Sequence, residues 1–472
     1  MKLSNSYAEL PGDFYTRIET EPAPSPVLIA WNEDLAGELG LQALGDDRDQ
    51  LTRIFSGSEP LPGGQTLALA YAGHQFGHFV PQLGDGRAAL IAEVMRPQDG
   101  KRFDIQLKGS GQTPYSRRGD GKSSLGPVIR EYLLSEAMHR LGVPTTRALA
   151  AVVTGEMVYR DSEEPGGVLT RVAASHIRVG TFQYFAARQN LDALQRLANY
   201  TIARHYPQVA NAERPLQALF GAIVEAQARL IAHWMALGFI HGVMNTDNTA
   251  ISGETLDYGP CAFMDEFHLD KVFSSIDQYG RYAYGQQAGM AQWNLARLAE
   301  CLLLLDDDQT AYEEILASFQ ANYVRHYLSH MSRKLGLDEN GEDNGTLVAA
   351  WLQHLQDHGL DYSQSFVRLE ERLQADTPIE FGEFETLWLK QIRQQAGGHL
   401  KAAESMASSN PRIIPRNHQV ARAIEAAFEG DYSVFREMHQ ALSEPFTLQP
   451  GLESYAEPPL PHERVRLTFC GT

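Results

Sequence analysis

Leu237-Gly-Phe-Ile-His241-Gly-Val243-Met-Asn-Thr-Asp247-Asn248-Thr-Ala-Ile-Ser-Gly-Glu-Thr-Leu-Asp257-Tyr-Gly-Pro-Cys261 concentrates hard oxygen ligands in a short, glycine-punctuated segment. Just before it, Leu216, Leu219, Phe220, Ile223, Val224, Leu230, Ile231, Trp234 and Met235 recur at spacings of mostly three, four and seven. That spacing predicts a buried helix closed by Gly238, whose job is to fix the loop that starts at Phe239. The amide oxygen of Asn248 and the carboxylate of Asp257 are donors that Mg²⁺ prefers, so the segment reads as a metal and phosphate site.

Set beside the protein-kinase catalytic loop H-R-D-x-x-x-x-N, His241 takes the first place and Asn248 the last, and Asp257-Tyr258-Gly259 stands where kinases carry D-F-G. The pattern has one hole. Two residues after the histidine, where a kinase has its catalytic aspartate, this chain has Val243, and the nearest carboxylate is Asp247. The segment keeps two metal ligands while moving or losing the base.

Upstream, the glycine-dense run from Tyr71 to Arg87 leads into Ala88–Met95, which has strand character. Gly84 and Gly86 lack a Cβ and let backbone N–H groups approach a phosphate, and Arg87 adds a fixed charge, although short G-x-G loops are mostly tight turns. Arg102–Lys108 alternates as a strand and ends in a lysine, one hairpin after the glycine loop, the order in which kinases place their phosphate-binding lysine. A polar, basic stretch containing Asp120-Gly121 follows, and Pro127 then opens a predicted helix over 128–141. Glu131 and Glu136 both lie on that helix. Either is placed to hold Lys108, and both also fit plain surface charges.

Arg147 to Arg160 reads as a strand pair folding around Thr154-Gly155, and a second pair starts at Gly166. Arg171 and Arg178 lie seven apart in it: both face one anion, or they are unrelated surface charges. If ATP is the ligand, they are candidates for clamping its terminal phosphates. From Leu191 to about residue 445 the pattern is helical, and a Pro-rich tail ends the chain.

The 472 residues exceed what one core supports, and the pattern predicts an α+β, kinase-like bilobal fold. Residues 1–185 would form an N-lobe with β-sheet and an N-terminal arm, and 186–472 a helical C-lobe with extra elements. A formal charge of −19 opposes binding to nucleic acid or anionic lipid, and no apolar run has membrane-spanning length. The start, Met1-Lys-Leu-Ser-Asn-Ser6, lacks an apolar signal core, so the expected compartment is the cytoplasm. Three cysteines, Cys261, Cys301 and Cys470, are too few and scattered for a disulfide framework or zinc site. Cys301 sits in an apolar run and reads as core; Cys470, near the terminus, reads as a free thiol.

Together, Gly-His-Gln-Phe-Gly at 73–77, Pro-Gln-Leu-Gly-Asp-Gly-Arg at 81–87, Gln-Leu-Lys-Gly-Ser-Gly at 106–111, His-Gly-Val-Met-Asn-Thr-Asp-Asn at 241–248 and Asp-Tyr-Gly-Pro at 257–260 resemble the selenoprotein O family over nearly the whole chain. The resemblance implies a pseudokinase that binds ATP in a flipped orientation and transfers AMP to Ser, Thr or Tyr hydroxyls of proteins, itself among them, as a monomer. It places Lys108, Arg171 and Arg178 on the β- and γ-phosphates, with Glu131 orienting the lysine. Gly84, Gly86, Arg87, Asp120 and Gly121 line the nucleotide, Asn248 and Asp257 carry Mg²⁺ or Mn²⁺, and Asp247 is the general base. Two alternatives stand beside it: a phosphotransferase using Asp247 as a displaced kinase base, and a non-catalytic ATP-binding scaffold. Cys470 falls where some relatives carry selenocysteine. Relatives pair that position with the activation segment, yet 265–282 holds no cysteine here. That leaves Cys261 as the nearby candidate partner, with a mixed disulfide to a substrate or glutathione as the alternative.

Overall fold

Alternating and doubly apolar strands build the N-terminal part of the chain. In the computed structural model, which describes residues 2–339, 341–374 and 380–469, it begins with β1 (Leu3–Ser4), β2 (Tyr15–Arg17), β3 (Val27–Trp31), α1 (Glu33–Glu38) and α2 (Arg48–Phe55). There follow β4 (Leu67–Leu69), a separate hairpin of β5 (Gly73–Gln75) and β6 (His78–Val80), β7 (Ala88–Met95), β8 (Arg102–Lys108) and β9 (Ser123–Ser124). Helix α3 (Leu125–Arg140) and the long strands β10 (Arg147–Tyr159) and β11 (Glu163–Ala173) complete it. The main sheet runs β2-β4-β7-β8-β11-β10-β3, with β1 on β7 and β9 on β11.

Its two faces bury different partners. Ile91, Ile105, Leu107, Val168 and Val172 pack with Leu35, Leu51 and Phe55 of α1 and α2, while Leu90 and Leu169 pack with Val128, Ile129 and Leu133 of α3. The period of two therefore puts Gln106, Lys108 and Arg171 on the α3 side.

The strands Ala88–Met95 and Arg102–Lys108 have the bounds the pattern predicts. The helix after them starts at Leu125, with Pro127 inside the first turn, where no amide has an intrahelical acceptor. The expected fold at Thr154-Gly155 is corrected. Strand β10 runs on to Tyr159 and turns at 160–162, while Gly155 (φ 79°) absorbs a bulge between the Val153↔Gly167 and Met157↔Pro165 pairs. Trp31 ends β3, and α1 follows Asn32, whose side chain accepts from Leu35 N at 3.0 Å.

The remainder is mostly helical: α4 (Val179–Ala187), α5 (Leu191–His205), α6 (Pro215–Leu237), a two-strand pair β12 (Phe239–Ile240) and β13 (Ala262–Phe263), then α7 (Gln287–Leu302) and α8 (Gln309–Lys334). After them come α9 (Asn344–His358), α10 (Tyr362–Gln374), α11 (Gly382–Gln394), α12 (Gly398–Ala407), α13 (Asn417–Phe428) and α14 (Ser433–Ser443). Helix α6 is the predicted core helix, stopped by Gly238 in the left-handed region at φ 72°. No helix among the described residues is long and apolar enough to cross a membrane. Cys261 and Cys301 are buried free thiols, and Cys470 lies outside the described residues.

Candidate active site

Helix α6 ends against the loop it positions. His241 stacks on Trp234 with ring centroids 5.2 Å apart, Nε2 donates to Leu256 O at 3.1 Å, and Nδ1 accepts from Val243 N at 3.4 Å. Burial lowers its pKa, so the ring is a neutral scaffold spanning the two halves of the loop. Asn248 Nδ2 donates to Val243 O at 3.1 Å, which turns its amide oxygen away from that carbonyl.

A cleft of about 740 Å³ opens between these loops and the α3 side of the sheet. Gly84, Gly86, Arg87, Lys108, Asp120, Gly121, Arg171, Arg178, Asp247, Asn248 and Asp257 all line it. Glu131 lies behind that wall, under Lys108 and Arg171. Lys108 Nζ stands 2.8 Å from Glu131 Oε2 and 2.6 Å from Asp257 Oδ1; Arg171 pairs with the same two carboxylates. Burial alone would push both carboxyls up in pKa, but the two cations override it, holding Glu131 low and Asp257 well below the usual range. Asp257 adopts φ 70°, a left-handed backbone costing about 1–2 kcal/mol that these contacts sustain.

The choice between the two glutamates on α3 is made by β10. Arg147 and the amide of Ala148 occupy Glu136 at 2.8 and 2.9 Å, which leaves Glu131 to Lys108. Arg178, at the start of α4, donates from Nε to His176 O at 3.0 Å and from Nη1 to Asp247 O at 3.2 Å, with its guanidinium 4.1 Å from the Tyr71 ring centre. Asp120 is taken by Arg160 at 2.9 Å, and a Cβ on Gly121 would strike Gly111 O at 2.1 Å. The glycines at 84 and 86 are needed because Tyr115 lies over them: added Cβ atoms would meet its ring at 2.3 Å and its carbonyl at 2.9 Å.

Asp247 is the carboxylate nearest the missing kinase base. Desolvation pushes its pKa up to about 6, Oδ2 accepts from Gln75 Nε2 at 3.2 Å, and Oδ1 is buried without a partner among the described residues. Sequence reasoning gave no role to Gln75, Tyr71, Asp85 or Tyr115, which also line the cleft. Only Asp85, between two glycines, and Gln75, inside Gly-His-Gln-Phe-Gly, carried a local signal.

The donor set fits a hard divalent ion. Asn248 supplies an amide oxygen and Asp257 an ionised carboxylate, and no group of three or more His, Cys, Asp or Glu suited to a metal occurs among the described residues. Such an ion would share its other positions with phosphate oxygens and water, as Mg²⁺ does in nucleotide sites.

The sequence model of the family described as protein adenylyltransferase SelO matches residues 1–443. The chain is 51% identical over 487 aligned residues to the protein nucleotidyltransferase YdiU of Agrobacterium fabrum, covering 100% of both chains. It is 51% identical over 488 residues to that of Rhizobium meliloti, covering 100% and 99% of the two chains. The Bacillus thuringiensis protein of the same name is 50% identical over 480 residues, covering 100% of this chain and 98% of its own.

Proposed function

The chain belongs to the protein adenylyltransferase SelO family and is a protein nucleotidyltransferase; from that premise we propose that it transfers AMP from ATP, bound with its triphosphate tail inward, to Ser, Thr or Tyr hydroxyls of proteins. The observation that carries this reading is that three buried cations, Lys108, Arg171 and Arg178, line one cleft together with a carboxylate of raised pKa, Asp247, and a valine in the kinase base position. On this reading residues 1–185 and 186–472 are the two lobes of a kinase-like monomer of the cytoplasm, itself among its acceptors.

Lys108, Arg171 and Arg178 hold the β- and γ-phosphates through charge-assisted hydrogen bonds, and Glu131 orients the first two. Gly84, Gly86, Arg87 and the turn at Asp120-Gly121 line the nucleotide. Asn248 and Asp257 would hold Mg²⁺ or Mn²⁺, which when bound neutralises the triphosphate and stabilises departing pyrophosphate. The acceptor oxygen attacks the α-phosphorus, its bond to the bridging oxygen of pyrophosphate breaks, and the hydroxyl proton passes to Asp247.

Label position tests this. ATP labelled at the α-phosphate marks the acceptor under AMP transfer, and ATP labelled at the γ-phosphate marks it under phosphorylation. Labelling from the γ-position alone overturns the proposal in favour of a displaced kinase base, and no labelling from either favours a scaffold.

A further inference from the structure

The Gly73-His-Gln-Phe-Gly77 block, left without a task by the roles above, forms the β5–β6 hairpin and lies on the loop that carries Asp247. Its two-residue turn is Phe76 (φ 51°) and Gly77 (φ 86°), both left-handed, the form whose twist suits a tight hairpin. Two pins fasten it. The His74 amide donates to Thr246 Oγ1 at 2.7 Å, that hydroxyl donates to Gln183 Oε1 at 2.6 Å, and the Gln183 amide donates back to His74 Nδ1 at 2.7 Å, closing a ring. The Phe76 amide donates to Asn245 Oδ1 at 3.0 Å, an oxygen that also accepts from Tyr282 Oη at 2.7 Å. The two residues before Asp247 are thus tied to the hairpin.

Between the pins, Gln75 Nε2 reaches Asp247 Oδ2 at 3.2 Å. Gly73 completes the seat: a Cβ there would stand 2.7 Å from Asp247 Oδ1 and 3.0 Å from Asp247 Cβ, so the carboxylate rests against bare backbone. With Oδ1 sealed, Oδ2 is the oxygen left to address the cleft.

We infer that Gln75 is a positioning residue for nucleotidyl transfer: its amide fixes the plane of the Asp247 carboxylate so that Oδ2 meets the acceptor hydroxyl, and the hairpin is the rigid mount. The inference rests on Asp247 as proton acceptor. A carboxylate turns in a broad torsional well about Cβ–Cγ, so one unrestrained by a donor spends much of its time misaimed.

The test uses the full chain, AMP transfer from α-labelled ATP to casein, and ATP affinity by isothermal titration. Gln75→Met and Gln75→Glu keep the length and remove the donor; kcat is expected to fall about tenfold or more while the ATP Kd stays within about twofold. In an Asp247→Asn background with residual turnover, Gln75→Met should bring no further loss. Full turnover in both Gln75 variants beside an impaired Asp247→Asn overturns the positioning role and leaves Asp247 as the base. Full turnover in Asp247→Asn overturns the base reading and this inference with it. ATP affinity falling in step with kcat would make the hairpin a plain support and overturn the inference as well.

Discussion

Lys108 and Asp257 are joined across the cleft, Nζ to Oδ1 at 2.6 Å, and Arg171 shares the same oxygen. The carboxylate assigned to a metal is therefore held by the cations assigned to phosphate. On the proposed roles, an arriving triphosphate would compete for Lys108 and Arg171 and release Asp257. Metal and nucleotide should accordingly bind with positive coupling: Mn²⁺ affinity, followed by electron spin resonance, should rise at least about tenfold when ATP is present. Asp257→Ala should lower AMP transfer by at least about a hundredfold without weakening ATP itself in metal-free buffer, since it frees two cations. Equal Mn²⁺ affinity with and without ATP would count against this exchange.

Arg178 supplies a second test, of nucleotide polarity. Its Nε and Nη1 are spent on main-chain oxygens, while Nη2 lies 3.9 Å from Asp85 Oδ1, beyond hydrogen-bond reach. That leaves Nη2, with its two N–H groups, available to an anion in the cleft. Arg178→Ala should weaken ATP by about 1.5–3 kcal/mol, roughly ten- to a hundredfold, and leave AMP nearly unaffected. Arg178→Lys should restore little, because an ammonium lacks the planar fork. Equal weakening of ATP and AMP, measured by calorimetry, would place the γ-phosphate elsewhere.

The pH dependence of turnover follows from Asp247. Burial raises its pKa to about 6, and a base must be ionised to accept a proton. Activity should therefore be nearly flat above pH 7 and fall about tenfold for each unit below 6. Asp247→Asn should abolish that acid limb along with most of the rate. A wild-type profile level from pH 5 to 8 would remove Asp247 from the chemistry.

What the sequence disclosed about this site was its local part. Strand β8 and helix α6 were legible because their apolar residues recur every two or every three to four positions, and β7 because it is a short, mostly apolar run of strand length. The local pattern left Glu131 and Glu136 equivalent, and only the resemblance favoured Glu131, because the choice depends on Arg147, brought to Glu136 by the pairing of β10 in the sheet. Gly84 and Gly86 stood out as glycines, yet the residue that requires them, Tyr115, by its ring at one and its carbonyl at the other, lies some thirty residues on. Gln75 meets Asp247 across 172 residues of chain, a contact that no periodicity encodes. The misplaced turn at Gly155 has the same origin: a glycine with positive φ serves a hairpin tip or a bulge equally well, and the partner strand decides.

Away from the cleft, Lys334 offers a test of stability. It ends α8 buried, with its ammonium 4.1 Å from the Phe366 ring centre, and desolvation pulls its pKa from 10.5 to about 7. The unfolded chain therefore binds more protons between about pH 7 and 10.5, so stability rises as pH climbs through that window and the burden is greatest at and below neutrality. At about 1.4 kcal/mol per unit, the full window is worth roughly 5 kcal/mol, against which the cation–π contact of the charged form returns about 2. Lys334→Met fills similar volume without the charge. It should stabilise the protein by about 3 kcal/mol at pH 7 and progressively less as pH rises, the difference fading above about pH 10.5, where the lysine is neutral in both states. Urea titrations of both proteins at pH 7 and pH 9.5 check this. A Lys334→Met variant less stable than the parent at pH 7, or a difference independent of pH, would show that the ammonium finds a stabilising partner that the Phe366 ring alone does not supply.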